Sequence, residues 1–585
     1  MVQFHYHDVI VVGAGLAGTR AAVELAPIAD VAVISKVFPT RSHSTTAQGG
    51  AAAALSNNTK KGMDSWLLHM FDTVKGSDYL GDQEVIEYFA KEAPKAILEM
   101  EHWGTPFSRM PNGKIAQRPF GGHQRDRIAY SADRSGHMLL HALFEQSVRL
   151  NVKYYSEFFV MDLIIDDDDD GNKVIRGVVG YDIRTSELHI WQAKAVVLAT
   201  GGGGRIYSTT SNAYEYTGDG YGMIYRAGLP LQDMEFTQFH PTGLYPLGIL
   251  ITEGVRGEGG MLLNSKGERF MEKYAPDFLD LAPRDVTSQA IYTEIQEGRG
   301  VGPKKDHVYL QIHHIGRDNI LSKLPDIWNF AMTYTGVDCT KEPIPVMPTM
   351  HYIMGGIPTD LHSGMVVAHV GEDGNPDQWV NNLYAAGEAA CESLHGANRL
   401  GANSMSDTIV FGRRVGKHIY DSLKDIKTPD LNEDVGVEQE KKMKVILDRT
   451  EGEKVSKIRE ELQDAMWAGS SVFREEAKLQ GAMKIVKDLQ KRFNNVIVED
   501  KSPSFNMELK EAIELENMLN YAEAVLAGCD FRKESRGAHS RVDYKKRNDD
   551  EFLKHTMIFK QEEKEPAIVQ RNVSITRFQP QERRY

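Results

Sequence analysis

Three glycines at GxGxxG spacing, in Gly13-Ala14-Gly15-Leu16-Ala17-Gly18, stand where the apolar run Asp8-Val-Ile-Val-Val gives way to an alanine-rich stretch. Between a strand and a helix, glycines so spaced let the backbone approach a pyrophosphate. The helix N-terminus then offers unpaired N–H groups and partial positive charge, so the chemistry on offer is dinucleotide binding. The motif alone also fits a tight βα turn. A second apolar run, Val31-Ala-Val-Ile-Ser35, lies at the distance a βαβ unit requires and favours the dinucleotide. An NAD site would carry a carboxylate at the end of that second strand to grip the ribose, and this chain has Ser35-Lys36 there. A hydroxyl and an ammonium can still serve an adenosine diphosphate group, which leaves FAD open and disfavours NAD. Thr217-Gly-Asp219-Gly and Asn381-Asn-Leu-Tyr-Ala-Ala-Gly-Glu388 each read as plain turns alone. Taken with the N-terminal motif, they predict a nucleotide domain assembled from distant parts of the chain.

The elements that must position these residues are many, because 585 residues exceed what one compact core holds, so several domains are expected. The net charge of −14 argues against a nucleic-acid backbone as partner. Cys339, Cys391 and Cys529 are isolated from one another, which excludes a disulfide framework and a CxxC metal or redox site and points to a reducing setting. No metal site is predicted. No apolar run approaches the length of a membrane span, and Met1–Asp8 runs directly into a predicted strand, so no targeting peptide is expected. Asp166–Asp170 with Gly171-Asn172 reads as a solvated hairpin tip between the β-prone stretches Phe158–Ile165 and Val174–Tyr181. From about residue 440 the pattern turns helical: Ile458, Leu462 and Met466, then Ile485, Leu489 and Phe493, then a long helix over Glu508–Ala527. The last forty or so residues are polar, strand-like in places and without clear organisation.

Directly after Ser35-Lys36 comes Val37-Phe-Pro-Thr-Arg41-Ser42-His43-Ser44-Thr45-Thr-Ala-Gln48-Gly49-Gly50. This segment resembles the flavoprotein subunits of succinate dehydrogenases and fumarate reductases. The resemblance implies that His43 is joined covalently to the 8α-methyl of FAD, whereas a loop histidine on its own reads as solvated or structurally hydrogen-bonded. It also implies that Arg41, Ser42, Ser44, Thr45, Gln48, Gly49 and Gly50 surround the cofactor together with the glycine turn, Ser35, Lys36, Asp219, Glu388, Ser404 and Met405. It continues through Asp78-Tyr-Leu-Gly-Asp, Arg118-Pro-Phe-Gly-Gly, Ala132-Asp-Arg-Ser-Gly-His137 and Glu534-Ser-Arg-Gly-Ala-His539, and so covers nearly the whole chain. Gly122-His-Gln-Arg-Asp-Arg is more compact than in some members, which concerns a surface loop and the branch of the family.

A dianionic dicarboxylate needs cationic or donor groups at each end and a proton carrier at its central carbons. The resemblance assigns one carboxylate to His240 and Thr252 and the other to His351 and Arg399, whose planar fork can meet both oxygens. It assigns proton exchange to Arg284, with a relay through Glu253 and Arg256. Singly, the histidines read as buried and satisfied, Glu253 as a turn carboxylate and Arg284 as a salt-bridge partner. Five such segments in family order make coincidence a poor explanation. The implied fold is α/β: a Rossmann-type FAD-binding domain (1–237 and 351–425) with an inserted α+β capping domain (238–350), a helical domain (426–545) and a C-terminal tail (546–585). The implied activity is succinate–fumarate interconversion at covalent FAD. Gln48 resembles the succinate-oxidising branch, since some fumarate reductases carry Glu there. The implied partners are an iron–sulfur subunit, expected near Glu534–His539, and membrane-anchor subunits, which put the chain on the cytoplasmic side of the cell membrane. L-Aspartate oxidase, which lacks the flavin-linking histidine, is disfavoured by His43. A non-catalytic FAD-binding subunit is disfavoured by the intact Arg284, Glu253 and Arg256.

Overall fold

The computed structural model describes residues 2–371, 377–431, 434–562 and 564–584. Its first strand, Gln3–Val12, pairs in parallel with Val31–Ser35 on one side and with Leu188–Leu198 on the other. Val9 to Val12 are buried on both faces, as the continuous apolar run requires of a central parallel strand. Lys153–Ser156 and Gln378–Ala385 extend the sheet in parallel at its two sides. Thus a strand from beyond residue 377 completes a sheet begun at residue 3. The helix Leu16–Leu25 packs on Asn403–Ser422, and the approach is close because a Cβ at Gly412 would lie 2.5 Å from Ala17 O.

The hairpin Phe158–Asp167 with Lys173–Asp182 forms where the β-prone stretches predict it. Its tip closes on itself, with the Asp168 carboxylate accepting the Asn172 N–H at 2.8 Å.

A second, antiparallel sheet runs in the order Ile249–Leu250, Thr237–Leu244, Ile344–Ile353, Val308–Gln311, Met261–Leu263. It has its own apolar cluster around Leu244, Ile251, Leu262, Leu310 and Val346, packed with Ile291 of the helix Arg284–Gln296. This is the capping domain, and its strand Thr237–Leu244 is buried along its full length.

Three long helices, Val455–Ser470, Glu476–Phe493 and Met507–Phe531, form the helical domain. Ile458, Leu462 and Met466 are buried as predicted. Ile485 is not: it is 43% exposed, and the buried row of its helix is Leu479, Ala482, Val486 and Leu489. Both rows obey helical spacing and share Leu489, and the neighbouring helices decide which one faces inward. Met507–Phe531 is buried on nearly all sides because its far face lies on the helix Asp219–Arg226, where a Cβ at Gly218 or Gly222 would collide with Tyr521 or Asn517.

The C-terminal residues are more organised than their sequence suggests. Lys554–Phe559 and Ala567–Asn572 make a hairpin whose first strand pairs with Leu231–Gln232. In the segment Glu534–His539, expected near a partner contact, Glu534, Arg536 and His539 are buried. Arg532 and Arg536 both bond Glu534, at 3.1 and 2.7 Å, and the Arg536 guanidinium donates to Asp78 O. Among the described residues no helix is long and apolar enough to cross a membrane.

Candidate active site

One cavity runs from Ser35, Lys36 and Asp219 past the glycine turn and the Ser42–Ala47 segment to Glu388, Ser404, Met405, His351 and Arg399. The glycine turn is built as its sequence demands. Gly13 has φ +109°, and a Cβ there would overlap Ala199 O. The N–H of Leu16, at the start of the helix, reaches Ser44 Oγ at 3.1 Å, which brings the Ser42–Ala47 segment against the helix N-terminus. Backbone donors bordering an elongated cavity suit a dinucleotide pyrophosphate.

Lys36 lines the cavity, but its ammonium is held by carboxylates from distant segments, Asp219 at 2.6 Å and Glu514 at 2.8 Å. Burial disfavours its charge, yet these two anions hold its pKa above the ordinary value. The group read as a free cation for the nucleotide is therefore a neutralised one. Glu388 is buried, accepts Tyr216 Oη–H at 2.7 Å and the Ile353 N–H at 3.2 Å, and is pushed up to about 7 by desolvation.

His43 sits in this cavity opposite Tyr216, with ring centroids 4.2 Å apart. Burial lowers its pKa to about 4, so the imidazole is neutral and nucleophilic at physiological pH. Its Nδ1 accepts the Ala213 N–H at 3.3 Å, and Asn212 Nδ2 lies 3.4 Å from Nε2. Thr45 and Gln48 border an adjoining cleft, Gly49 packs near Phe120, Gly50 approaches Ala129 O, and Gly18 supports the turn against Gly13 O. Arg41 is exposed and lies outside the cavity lining. Gln48 is buried, donates to Leu250 O at 3.2 Å and has an unpartnered Oε1.

At the far end the predicted dicarboxylate residues converge, His240 and His351 from the antiparallel sheet, Arg284 from its helix and Arg399 from the segment before the helix Asn403–Ser422. Arg284 opens its helix on the capping domain and donates from Nε to Glu253 Oε2 at 2.8 Å. Glu253 Oε1 accepts the Gly121 N–H, and Arg256 NH2 lies 3.9 Å from Oε2. Burial alone would raise the Glu253 carboxyl, but Arg284 and Arg256 beside it hold it below its ordinary value. Burial lowers Arg256. Gly401 makes room for this group: a Cβ there would lie 2.6 Å from Glu253 Oε2 and 3.2 Å from Arg284 NH2.

Arg399 is buried against Tyr352, its guanidinium carbon 4.0 Å from the ring centroid. Its hydrogen-bond acceptors, Ser404 Oγ and Gln238 Oε1, are neutral, and burial lowers its pKa to about 10. His240 and His351 meet edge to face at 5.1 Å, and burial with neighbouring guanidiniums holds both imidazoles neutral. Ser211 Oγ fixes His351 Nδ1 at 2.8 Å, while His240 Nε2 and Arg399 Nε have no partner among the described residues. Thr252 lies beside Gly49, where capping domain and parallel sheet meet. Two imidazoles and three guanidiniums against one carboxylate make a net-positive, desolvated end with unmet donors, which fits a dianion.

Sequence reading missed Gln238, whose Oε1 accepts from Arg284 NH1 at 3.0 Å and Arg399 NH2 at 3.1 Å and so joins the two arginines. Its position two residues before His240 on one strand is the signal that could have found it. Tyr352 adjoins His351 in the same way. Glu514 carried no local signal.

The parallel sheet, the glycine turn, the elongated cavity and the cationic end define an FAD-dependent oxidoreductase. Comparison with known proteins agrees: the family model "FAD binding domain" matches residues 8–405, and "Fumarate reductase flavoprotein C-term" matches 459–585. The succinate dehydrogenase flavoprotein subunit of Coxiella burnetii is 47% identical over 569 residues, 96% of this chain and 95% of that protein. The fumarate reductase flavoprotein subunit of Mycobacterium tuberculosis is 39% identical, covering 99% of both. A solved E. coli quinol fumarate reductase chain superimposes with a TM-score of 0.92 at 39% identity, covering 99% of both. The chain belongs to the succinate dehydrogenase/fumarate reductase flavoprotein family.

Proposed function

We propose that this chain is the catalytic flavoprotein of a complex that interconverts succinate and fumarate, oxidising succinate in its working direction, with FAD attached at His43. The observation that carries the reading is the buried Glu253–Arg284–Gln238–Arg399 chain at the end of the cavity that His43 lines. Bound FAD would supply the two-electron acceptor for a hydride from one central carbon of succinate.

The rest falls to the protein. His240 and Thr252 hold one carboxylate through neutral donors. Arg399 and His351 hold the other, and Gln238 sets the spacing between Arg399 and Arg284. Arg284 takes the proton from the neighbouring carbon, as a transiently neutral guanidine, and returns it when fumarate is reduced. Glu253 and Arg256 relay that proton, and the carboxylate beside the guanidinium lowers the cost of the charge movement. Gly13 to Gly18, Ser35, Ser42, Ser44, Glu388, Ser404 and Met405 hold the cofactor. With donors on both domains, closing the capping domain excludes water from the reacting carbons.

Electrons pass to an iron–sulfur subunit and on to quinone through membrane anchors, with this chain peripheral on the cytoplasmic face. The family's quinol-coupled structures support that reading, and Gln48 supports succinate oxidation. Adding succinate anaerobically to the flavin-loaded protein should bleach the flavin absorbance, and a dye acceptor should restore it. Absence of bleaching with FAD bound would overturn the assignment.

A further inference from the structure

Asp78, from a motif to which the catalytic reading gives no task, is a junction. Asp78 and Tyr79 both adopt left-handed backbone, at φ 54° and 61°, a conformation that costs free energy for residues with side chains. The Asp78 carboxylate accepts the Gly537 N–H at 2.9 Å from the buried Glu534–His539 segment, and Arg547 NH1 lies 2.9 Å from its other oxygen. A second cation, Arg583, arrives from the C-terminal tail. Its NH2 is 3.2 Å from Asp78 Oδ2 and 2.6 Å from Asp285 Oδ2.

Asp285 immediately follows Arg284 in the first turn of the helix Arg284–Gln296, and its side chain is 1% exposed. The tail that delivers Arg583 is itself fastened. Gln83 Oε1 accepts the Phe578 N–H at 2.9 Å, Arg547 NH1 donates to Gln581 O at 2.9 Å, and Lys75 Nζ donates to Arg584 O at 2.9 Å.

We propose that Arg583 is a positioning residue for Arg284: it ties the first turn of the capping-domain helix, through Asp285, to Asp78 on the parallel-sheet side. The physical argument is one of register. Arg284 must meet both Glu253 and the substrate carbon, and its backbone begins a helix whose contacts outside the capping domain lie further along, Gln289 with Gly537 O at 3.4 Å and Tyr292 with Phe473, leaving Asp285 to fix its first turn. A buried ion pair at the adjacent residue fixes that backbone against the half of the site that carries Arg399. A misplacement near 1 Å at a reacting group costs on the order of a hundredfold in rate. Losing Arg583 leaves Asp78 its Arg547 pair but strands the buried Asp285 carboxylate, which keeps only a helix N-terminus that favours an anion, so the fold survives with a lowered midpoint. The inference rests on the dicarboxylate reading above.

The test is dye-coupled succinate oxidation by the full flavin-loaded chain carrying Arg583→Gln or Arg583→Lys, with flavin content and thermal midpoint measured alongside. Arg583→Gln should lower kcat on the order of tenfold to a hundredfold at a temperature well below its lowered midpoint, with KM within about twofold and flavin content near the parent's. Because one nitrogen makes both contacts, Arg583→Lys should recover most of that kcat. Unchanged kcat in Arg583→Gln, equal loss in the Lys variant, or a kcat loss that merely tracks lost flavin or a collapsed midpoint would each overturn the proposal. Asp285→Asn, which keeps the Arg583–Asp78 pair, should reproduce the kcat loss and decides the matter if Arg583→Gln does not fold. A parent chain inactive with succinate sinks the dicarboxylate reading, whereas an active parent with an equally active Arg583→Gln sinks only this inference.

Discussion

Replacing Glu253 by Gln tests the proton relay most directly, because it keeps the shape and removes the charge. The carboxylate has two jobs that an amide cannot share. Its Oε2 accepts Arg284 Nε at 2.8 Å, while Oε1 accepts the Gly121 N–H. An amide has one oxygen, so a Gln must turn its NH2 toward one of those donors and lose that bond. The charge matters more. At an effective dielectric near 20, a unit pair 4 Å apart interacts by about 4 kcal/mol, and Arg256 lies at 3.9 Å with Arg284 closer still. If about 3 kcal/mol of that support is specific to the proton-transferring state, kcat falls on the order of a hundredfold, at about 1.36 kcal/mol per factor of ten. KM should change little, because His240, Thr252, His351 and Arg399 are untouched. The pH sign follows from the depressed Glu253 pKa: its stabilising contribution is complete above the ordinary carboxyl value of 4.5 and is lost only as pH falls through the lower folded value. The deficit of Glu253→Gln should therefore be constant from about pH 6 to 8. Steady-state dye reduction across that range is the assay. A Glu253→Gln enzyme with kcat within about threefold of the parent would refute the relay and the electrostatic argument together.

His43→Ala should remove the fluorescent flavin band from a denaturing gel while FAD still co-purifies, and should abolish succinate oxidation more completely than dye-driven fumarate reduction. A band that persists would assign the link elsewhere. Lys36→Met strands Asp219 and Glu514 in a buried place, and breaking such a pair costs about 3–5 kcal/mol. A clear drop in thermal midpoint should follow, moderated by the second cation at Glu514, Lys510 at 2.8 Å. An unchanged midpoint would contradict the reading of Lys36 as a structural cation.

Local chemistry was legible in the sequence. A strand, a glycine turn and a helix are set by neighbours within a few residues, and Gly13 to Gly18 could be read as a dinucleotide turn because φ above zero and close backbone approach admit little but glycine. The segments holding His43, His240, Glu253, Arg284, His351 and Arg399 could likewise be recognised, since each role depends on a residue type kept in a short context. Periodicity identified the helical domain and misplaced one of its faces at Ile485, because helical spacing defines candidate stripes and only the neighbouring helix selects one.

What the tertiary structure alone decided is who meets whom across hundreds of residues. It brought Gln238 between Arg284 and Arg399, set Glu514 and Asp219 on Lys36, buried Glu534–His539 and delivered Arg583 to Asp285. Charges carry no periodic signature along a chain, and a pairing is fixed by burial, which removes water as the alternative partner. The sequence determined the chemical groups and the turns that present them. Packing determined which charges are spent on one another and which remain for a substrate.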